Sequence, residues 1–321
     1  MLKVCIAGNY PAGTVEAFRA ALPEGKFEII TAETQEEFTA VTDADAVVLR
    51  VLKMPAPADF ARFTNLKMVM RWGVGYDNVD IQEAGRLGVS VCNTPGANAY
   101  AVAELAVGLM INAGRNIMGY YHHVKAGDWD RSAFPVNLSL NHKTVGLLGG
   151  GNIGRQVAQR VQAFGATVQY YDTFRLKPEM EEQFHMTYVD LEILLKTSDV
   201  VSVHVPLLDS TRHIIGAEQL AMMKKGALLI NTARGGLVDD AALLAALESG
   251  QVGAAGLDCV EDEQSEVTKA LCSRENVVVT PHIGGTASDL GNAMIPMIVR
   301  NLKALEAGEP LSFVVNQQYL A

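Results

Sequence analysis

A glycine-rich turn between an apolar run and a helical pattern most constrains the fold of this chain. Residues 144–148 form a largely apolar run, TVGLL, and residues 149–154 follow directly as GGGNIG. In a strand–turn–helix unit, Gly149 allows the tight turn, Gly151 lets a pyrophosphate approach the backbone, and Gly154 lets the helix pack against the strand. The free N–H groups at the start of that helix favour negative charge. The spacing therefore predicts a dinucleotide-binding unit, with a purely structural turn as the alternative.

An acidic residue lies where the ribose of a dinucleotide would be read. Residues 167–171 form the next apolar run, and Asp172 comes 18 residues after Gly154. A carboxylate at this point accepts hydrogen bonds from the ribose hydroxyls of NAD and repels the 2′-phosphate of NADP. The pattern predicts NAD as the cofactor; capping of the strand end is the alternative role for Asp172.

Short apolar runs alternate with helical patterns along the chain, which predicts an α/β fold with parallel sheets. The predicted strands are residues 3–7, 46–49, 68–71, 89–92, 144–148, 167–171, 200–203, 227–231, 253–257 and 276–279, with a possible short strand at 312–315. The predicted helices include residues 16–21, 152–164, 239–249 and about 289–306. Because the glycine-rich turn begins near residue 149, a whole α/β domain is expected to precede the cofactor domain.

A long apolar segment separates the two series of strands. Residues 98–118 are rich in Ala, Gly, Leu and Met on every side, so we expect a buried helix. The segment follows a turn at residues 93–96, and we place the first domain boundary there. A buried helix at such a boundary serves equally well as a dimer contact or as a core helix between domains.

Composition excludes several classes of protein. With 49% hydrophobic and 19% charged residues the chain is a folded protein, and a net charge of −10 disfavours nucleic acid and anionic membranes as partners. No apolar stretch reaches the length of a membrane span. The four cysteines are scattered, which indicates reduced thiols and a cytoplasmic location. No HExxH or CxxC pattern is present, so no metal is expected.

Three side chains that follow predicted strands suit a single reaction. Arg234 is placed to bind a carboxylate in a bidentate manner and to polarise a carbonyl. His282, held between a proline and glycines, would donate a proton to a new alkoxide, and an acid such as Glu263 would fix the tautomer of that histidine. In oxidation His282 would be neutral and accept the proton. A surface ion pair, a structural histidine and a solvated acidic loop are the respective alternatives, and His204 is interpreted as a shaping residue.

In combination these motifs resemble the D-isomer-specific 2-hydroxyacid dehydrogenases, especially the phosphoglycerate dehydrogenase and hydroxypyruvate/glyoxylate reductase branch. The resemblance spans nearly the whole chain, and its motifs are residues 71–78, 93–96, 149–154 with Asp172, 204–207, 231–236, 256–258 with Glu263, and 280–285. It implies two Rossmann-like doubly wound α/β domains with the active site in the cleft between them. We predict a flavodoxin-like substrate domain at residues 1–97 plus 289–321 and an NAD-binding domain at residues 98–288.

The resemblance also implies roles for individual residues. Arg234, Glu263 and His282 would form the catalytic set. NAD would be contacted by Gly149, Gly151, Asn152, Ile153, Gly154, Asp172, Val205, Pro206, Thr232, Ala233, Asp258, Gly284 and Gly285, with Asp258 near the carboxamide. The substrate would be contacted by Arg50, Val74, Gly75, Arg234 and His282. Of these, Val74 and Gly75 would offer backbone amides to the carboxylate, and Arg50 would meet a distal polar or anionic group.

The chain departs from the family pattern at a few positions. Asn152 stands where relatives often have arginine, so a weaker pyrophosphate contact is expected. Gln264 follows Glu263 where proline is usual, and Tyr100 replaces a smaller residue. The resemblance further implies a homodimer formed through the region near residues 98–118, and a C-terminal segment that returns to the first domain.

We therefore predict an NAD-dependent enzyme that interconverts a D-2-hydroxy acid and a 2-oxo acid of the phosphoglycerate, hydroxypyruvate or glyoxylate type. An alternative is an NAD(H)-sensing, corepressor-like binding protein on the same fold, which would hold NADH without oxidising it. A third reading is an enzyme that performs other chemistry on this scaffold. Turnover with 2-oxo acids separates the three.

Overall fold

The computed structural model describes residues 1–134 and 138–320, and the chain divides into two compact units. Unit 1 comprises Met1–Asn98 together with the chain from Ala287 onward, and unit 2 comprises Ala99–Thr286. The predicted end of the substrate domain, at residue 321, lies outside the described residues.

Unit 1 is built on a five-stranded parallel sheet. Its strands are β1 (Leu2–Ala7), β2 (Phe27–Ala32), β3 (Ala46–Leu49), β4 (Met68–Arg71) and β5 (Ser90–Cys92). The connecting helices are α1 (Thr14–Ala21), α2 (Gln35–Ala40), α3 (Pro57–Ala61) and α4 (Ile81–Arg86). Every residue of β3 and β4 is buried, as expected of central strands in a doubly wound sheet. The strand order, β2-β1-β3-β4-β5, is the flavodoxin-like order that we predicted.

Unit 2 is built on a seven-stranded parallel sheet. Its first helices are α5 (Ala99–Arg115) and α6 (Ile117–Lys125). The strands are β6 (Thr144–Leu148), β7 (Thr167–Tyr171), β8 (Met186–Tyr188), β9 (Val200–Val203), β10 (Ala227–Asn231), β11 (Val252–Leu257) and β12 (Val277–Val279). The remaining helices are α7 (Asn152–Ala163), α8 (Pro178–Phe184), α9 (Leu191–Thr197), α10 (Ala217–Met222), α11 (Asp240–Glu248) and α12 (Glu266–Cys272). The strand order, β12-β11-β10-β9-β6-β7-β8, reverses direction between β6 and β9.

Apolar cores lie on the two faces of the unit 2 sheet because successive strand residues point to opposite sides. Leu147 of β6 packs in a cluster with the apolar residues of α5 and α7, whereas Leu148 packs in a second cluster with α9 and α11. In α7 the buried residues Val157, Ala158 and Val161 form one apolar stripe, which explains why this segment is helical and how it docks on the sheet.

Two predicted elements differ in the structure. Helix α13 (Gly291–Ala307) forms as expected, but the short strand predicted after it, at residues 312–315, does not. Only one antiparallel bridge joins Val314 to Cys92, because Phe313 has a φ of 59° and interrupts the extended backbone. The segment at 98–118 is two helices, since Asn116 adopts the left-handed conformation between α5 and α6.

Two strands were not predicted at all. Both β2 and β8 lie at sheet edges and are partly exposed, so neither forms the continuous apolar run by which the other strands were recognised. Neither carries a predicted site residue.

Candidate functional site

The predicted site segments of unit 2 follow six adjacent strands that end in register. The end residues pair side by side in the order Tyr171, Leu148, Val203, Asn231, Leu257 and Val279. The glycine-rich turn, Asp172 and the loops after β9, β10, β11 and β12 therefore emerge at one edge of the sheet. Strand order reverses between β6 and β9, and open α/β sheets bind ligands at the carboxyl ends of strands at such a point.

The glycine-rich turn has the geometry that its spacing predicted. Gly149 has a φ of 108°, and a Cβ there would lie 2.9 Å from the carbonyl of His204. A Cβ on Gly154 would lie 2.1 Å from the carbonyl oxygen of Gly149, so only glycine lets α7 start this close to β6. Apart from the chain neighbours of Gly151, no described residue has an atom within 4 Å of a Cβ built on it, which leaves the backbone open to a ligand.

The Asp172 carboxylate is tied to this turn. Its Oδ2 accepts a hydrogen bond of 2.8 Å from the Gly150 N–H, and its Oδ1 accepts one of 3.1 Å from the Phe174 N–H. Each carboxylate oxygen can accept further hydrogen bonds, and the residue is only half-buried. The structure therefore supports the capping role and leaves acceptor capacity for a ribose.

Two buried polar atoms at the same edge have no hydrogen-bond partner among the residues that the structure describes. They are the Thr232 hydroxyl, on a residue that is 6% exposed, and the Nδ1 of His204. His204 Nε2 lies 2.9 Å from Ser202 Oγ, and burial lowers the pKa of His204 to about 4, so the imidazole is neutral near pH 7. Unpaired buried groups call for a partner. With the open glycine turn, they fit a dinucleotide bound along this edge.

The loop that carries Arg234 is fixed by the buried side chain of Asn231. Asn231 Oδ1 accepts a hydrogen bond of 3.0 Å from the Ala233 N–H, and its Nδ2 donates to the Arg234 carbonyl at 2.8 Å. Arg234 is half-buried, and its Nη1 donates to the Ala233 carbonyl at 2.8 Å. Sequence reasoning gave Asn231 no role, although a buried asparagine at a strand end is a recognisable sign of loop fixation.

The loop that carries His282 is fixed by Asp258. Its carboxylate, on a residue that is 1% exposed, accepts hydrogen bonds from the Thr280 hydroxyl at 2.5 Å and from the Ile283 and Gly284 N–H groups at 2.8 Å. The His282 N–H donates to the Asp258 carbonyl at 2.9 Å, and His282 has a φ of 54°. Asp258 therefore positions this loop, a role that the sequence did not reveal, and its predicted contact with NAD stays a prediction.

Glu263 is exposed, and within unit 2 as described no hydrogen bond or ion pair joins it to His282. Catalytic hydrogen bonds often form only in the substrate complex, so this arrangement leaves the predicted pair open. The neighbouring Glu261 is held firmly instead. Its carboxylate pairs with Arg212 and with His213 at 2.9 Å, and its N–H donates to the buried Asp240 carboxylate at 2.7 Å.

The other predicted cofactor residues lie on these same loops. Asn152 and Ile153 start α7, Val205 and Pro206 follow β9, and Gly285 follows Gly284 in the His282 loop. A Cβ on Gly284 would lie 3.0 Å from Asp258 Oδ2, so this glycine allows the close approach that the Asp258 hydrogen bonds require.

In unit 1, the loop after β4 presents free backbone amides. The Gly75 carbonyl accepts from Arg71 Nε at 3.0 Å, and the Val74 carbonyl accepts from Asn93 Nδ2 at 2.8 Å. Gly73, which precedes Val74, is held at both backbone groups: its N–H donates to the Thr94 hydroxyl, and its carbonyl accepts from the Thr94 N–H. The Val74 and Gly75 N–H groups themselves donate to no protein group among the described residues. Sequence reasoning missed this use of Arg71, Asn93 and Thr94.

Arg50 lies at the end of β3 in the same unit. Its Nη1 donates to the Asn9 carbonyl, and the guanidinium lies 5.9 Å from the ring centroid of Tyr10. Val51, which follows, has a φ of 66°, an uncommon conformation for a β-branched residue that suggests a functionally constrained turn.

Residues 1–134 and 138–320 contain no group of three or more His, Cys, Asp or Glu side chains placed to hold a metal ion. In the same ranges, no helix combines the length and apolar character that crossing a bilayer requires.

Comparison with known proteins identifies the family. Residues 107–284 match the family described as D-isomer specific 2-hydroxyacid dehydrogenase, NAD binding domain. The chain is 44% identical to hydroxypyruvate reductase of Thermotoga maritima over 80% of this chain and 83% of the relative. It is 39% identical to glyoxylate reductase of Thermococcus litoralis over 87% and 86% of the two chains.

A solved structure agrees with these matches. D-lactate dehydrogenase with NAD+ from Lactobacillus jensenii superposes with a TM-score of 0.81, at 31% identity, over 98% of this chain and 99% of that one. The comparisons confirm the predicted fold class, reaction class and cofactor, and they give no support to a corepressor-like protein. The chain belongs to the D-isomer-specific 2-hydroxyacid dehydrogenase family and is an NAD-dependent oxidoreductase acting on 2-hydroxy and 2-oxo acids.

Proposed function

We propose that this enzyme reduces small 2-oxo acids of the hydroxypyruvate and glyoxylate type, with Arg234, Glu263 and His282 as its catalytic set. The observation that carries the proposal is the edge of the unit 2 sheet, where the fixed loops of Arg234 and His282 emerge beside the glycine-rich turn. Arg234 and His282 follow β10 and β12, which are two strand spacings apart, or about 10 Å at the sheet. Long side chains span that separation toward one small acid.

Each side chain of the set has a separate task. Bound NADH supplies the hydride for the carbonyl carbon, and the residues named here orient and polarise the acid. Arg234 binds the carboxylate and draws electron density toward the carbonyl oxygen. His282 donates the proton that this oxygen takes up, and Glu263 fixes the tautomer of that imidazole. In the reverse direction neutral His282 accepts the hydroxyl proton of the D-2-hydroxy acid.

The cofactor contacts in this proposal are those implied by the sequence. Gly149, Gly151, Asn152, Ile153 and Gly154 would face the pyrophosphate, and Asp172 would accept from the adenosine ribose. The remaining contacts would come from Val205, Pro206, Thr232, Ala233, Asp258, Gly284 and Gly285. The unpaired Thr232 hydroxyl supports a ligand at its position. From unit 1, the Val74 and Gly75 amides would bind the substrate carboxylate.

The hydrogen bonds of Arg50 bear on which distal group the substrate carries. Its guanidinium already donates to the Asn9 carbonyl, so it retains donors for a hydroxyl but is partly committed. A relative that is 44% identical is a hydroxypyruvate reductase, and another at 39% is a glyoxylate reductase. We therefore propose that Arg50 meets the distal hydroxyl of hydroxypyruvate, with the phosphorylated analogue as a poorer substrate.

A panel of 2-oxo acids tests this substrate assignment. NADH oxidation is measured with hydroxypyruvate, glyoxylate, pyruvate and 3-phosphohydroxypyruvate, for the native enzyme and for Arg50→Met. The variant should lose about tenfold in kcat/KM with hydroxypyruvate and little with glyoxylate, which has no distal group. A kcat/KM highest for the phosphorylated acid would overturn the assignment, and equal losses on both small acids would remove Arg50 from it.

The preference for NAD over NADP should depend on Asp172. Because its carboxylate also holds the Gly150 and Phe174 N–H groups, asparagine is the gentler replacement, since it retains one acceptor oxygen. Asp172→Asn should lower the ratio of NADH to NADPH affinity by about tenfold, as the charge that repels the 2′-phosphate is removed. Fluorescence titration with each cofactor measures the ratio; an unchanged ratio would mean that another group reads the ribose.

A homodimer and a cytoplasmic location belong to the same proposal. The predicted contact region is largely buried within unit 2, since Ala103, Ala106 and Met110 of α5 are at most 1% exposed. Exposed apolar residues lie at the end of this region and just after it, on α6 and the following loop, at Ile117, Met118, Tyr121, Val124 and Trp129. An exposed apolar patch of this kind is typical of protein interfaces. We assign it to a second copy of this chain.

Sedimentation of the native enzyme and of Trp129→Glu tests the dimer. Trp129 is 69% exposed, and a charge buried within an apolar contact should leave the variant monomeric at micromolar concentration. Ile193→Glu, on the separate helix α9, is the control and should remain dimeric. A monomeric native enzyme, or a dimeric Trp129 variant, would contradict the assignment.

A further inference from the structure

The first turn of α7 breaks the usual charge rule for a helix N-terminus. Acidic residues are favoured there and cations are not, because of the helix dipole. In α7 the N-cap, Gly151, offers no side-chain cap, the first turn contains no acid, and Arg155 stands in it. Local departures of this kind concentrate at functional sites, where a ligand offsets them.

Arg155 is oriented back toward the start of its helix. Its Nη2 donates a hydrogen bond of 2.7 Å to Oδ1 of Asn152, the first residue of α7, and its guanidinium lies 5.5 Å from the ring centroid of Phe184. Because Oδ1 accepts this bond, the Asn152 Nδ2 group is left to donate elsewhere. It donates to no protein group in residues 1–134 and 138–320.

Arg155 also differs from the other arginine of the same helix. Arg160 donates to Gln156 and pairs with Glu104 at 3.1 Å, as an ordinary surface cation does. Among the described residues, Arg155 has no carboxylate partner. A half-buried cation without an acid, one turn from an open glycine backbone, is suited to an anion that the protein itself does not supply.

We propose that Arg155, acting through Asn152, supplies positive charge at the cofactor pyrophosphate. This inference rests on the proposed role of the glycine-rich turn in binding the pyrophosphate. The unpaired Thr232 hydroxyl on the same sheet edge independently points to a ligand there. If Arg155 takes this role, the pyrophosphate contact need not be weak, and the weaker contact expected from Asn152 remains the alternative that the test below addresses.

Binding of cofactor fragments separates this role from a structural one. The affinities for ADP-ribose, which contains the pyrophosphate, and for adenosine, which does not, are measured by calorimetry at two salt concentrations. Arg155→Gln should weaken ADP-ribose binding about fivefold to tenfold, reduce its salt dependence and leave adenosine binding unchanged. Arg160→Gln removes the same charge from the same helix and should change neither. Adding Asn152→Arg to Arg155→Gln should restore ADP-ribose affinity.

Three outcomes would overturn the proposal. An ADP-ribose affinity within twofold of native would show that Arg155 does not act on the pyrophosphate. Equal losses for ADP-ribose and adenosine would show that the side chain only supports the structure, for example through Phe184. Absence of ADP-ribose binding by the native chain would remove the proposed cofactor site together with this inference.

Discussion

Replacing His282 is expected to lower kcat for 2-oxo acid reduction by about 10²-fold or more, with the NADH affinity within about twofold of native. The carbonyl oxygen needs a proton as the hydride arrives, and His282 is the group assigned to donate it. Its loop is held by Asp258 through backbone and side-chain hydrogen bonds, so loss of the imidazole should leave the cofactor site intact. Because His282 has a φ of 54°, asparagine is the replacement that best preserves the backbone.

A matched control exists for this substitution. His185, with a φ of 50°, also occupies the left-handed region, but it precedes β8 and so lies at the opposite end of the strands. His185→Asn should retain full turnover. Stopped-flow measurement of NADH oxidation, paired with fluorescence titration of NADH, gives both quantities. If His282→Asn turned over at the native rate, the proton donor would have to be another group.

The second large effect is expected from Arg234→Lys, which retains the charge but should lower kcat/KM by about 10²-fold. In the structure one guanidinium nitrogen donates to the Ala233 carbonyl, which orients the rest of the planar fork. A lysine ammonium has no fork, so it cannot hold that carbonyl and bind a carboxylate in bidentate geometry at the same time. The loss should appear in both kcat and KM, because the same group binds the acid and polarises its carbonyl.

Arg274→Lys is the control for a general effect of arginine replacement. Arg274 bonds Asn276 at the amino end of the same sheet and should tolerate lysine. Steady-state rates over a range of hydroxypyruvate concentrations give kcat and KM for both variants. Retention of native kcat/KM by Arg234→Lys would show that a point charge suffices and that the bidentate contact is not made.

The strands that are covered on both faces of the sheet could be predicted from the sequence, whereas the partly exposed edge strands could not. Strands such as β9, read as VVSV, are apolar because both faces of a parallel sheet are covered, and their ends were predicted closely. The edge strands β2 and β8 carry exposed side chains and gave no such signal. The left-handed residues Asn116 and Phe313 are not glycines, so the breaks they introduce were not foreseen.

The residues of the candidate site could also be predicted only in part. Arg234 and His282 could be assigned because strand ends of a parallel sheet share an edge, and residue type then restricts the chemistry. The residues that fix these loops could not be assigned from the sequence. Asp258 accepts from Gly284, 26 residues further along the chain, and Arg71 holds the Gly75 carbonyl only after the loop has folded back. Such partners are selected by tertiary structure, and no local pattern encodes them.

The configuration of the product tests the central claim most directly. NADH and hydroxypyruvate are incubated with the enzyme, and glycerate is quantified by chiral chromatography against NADH consumed. A D-2-hydroxyacid dehydrogenase should form one D-glycerate for each NADH oxidised. Formation of the L-enantiomer, or binding of NADH without oxidation by any 2-oxo acid, would contradict the account.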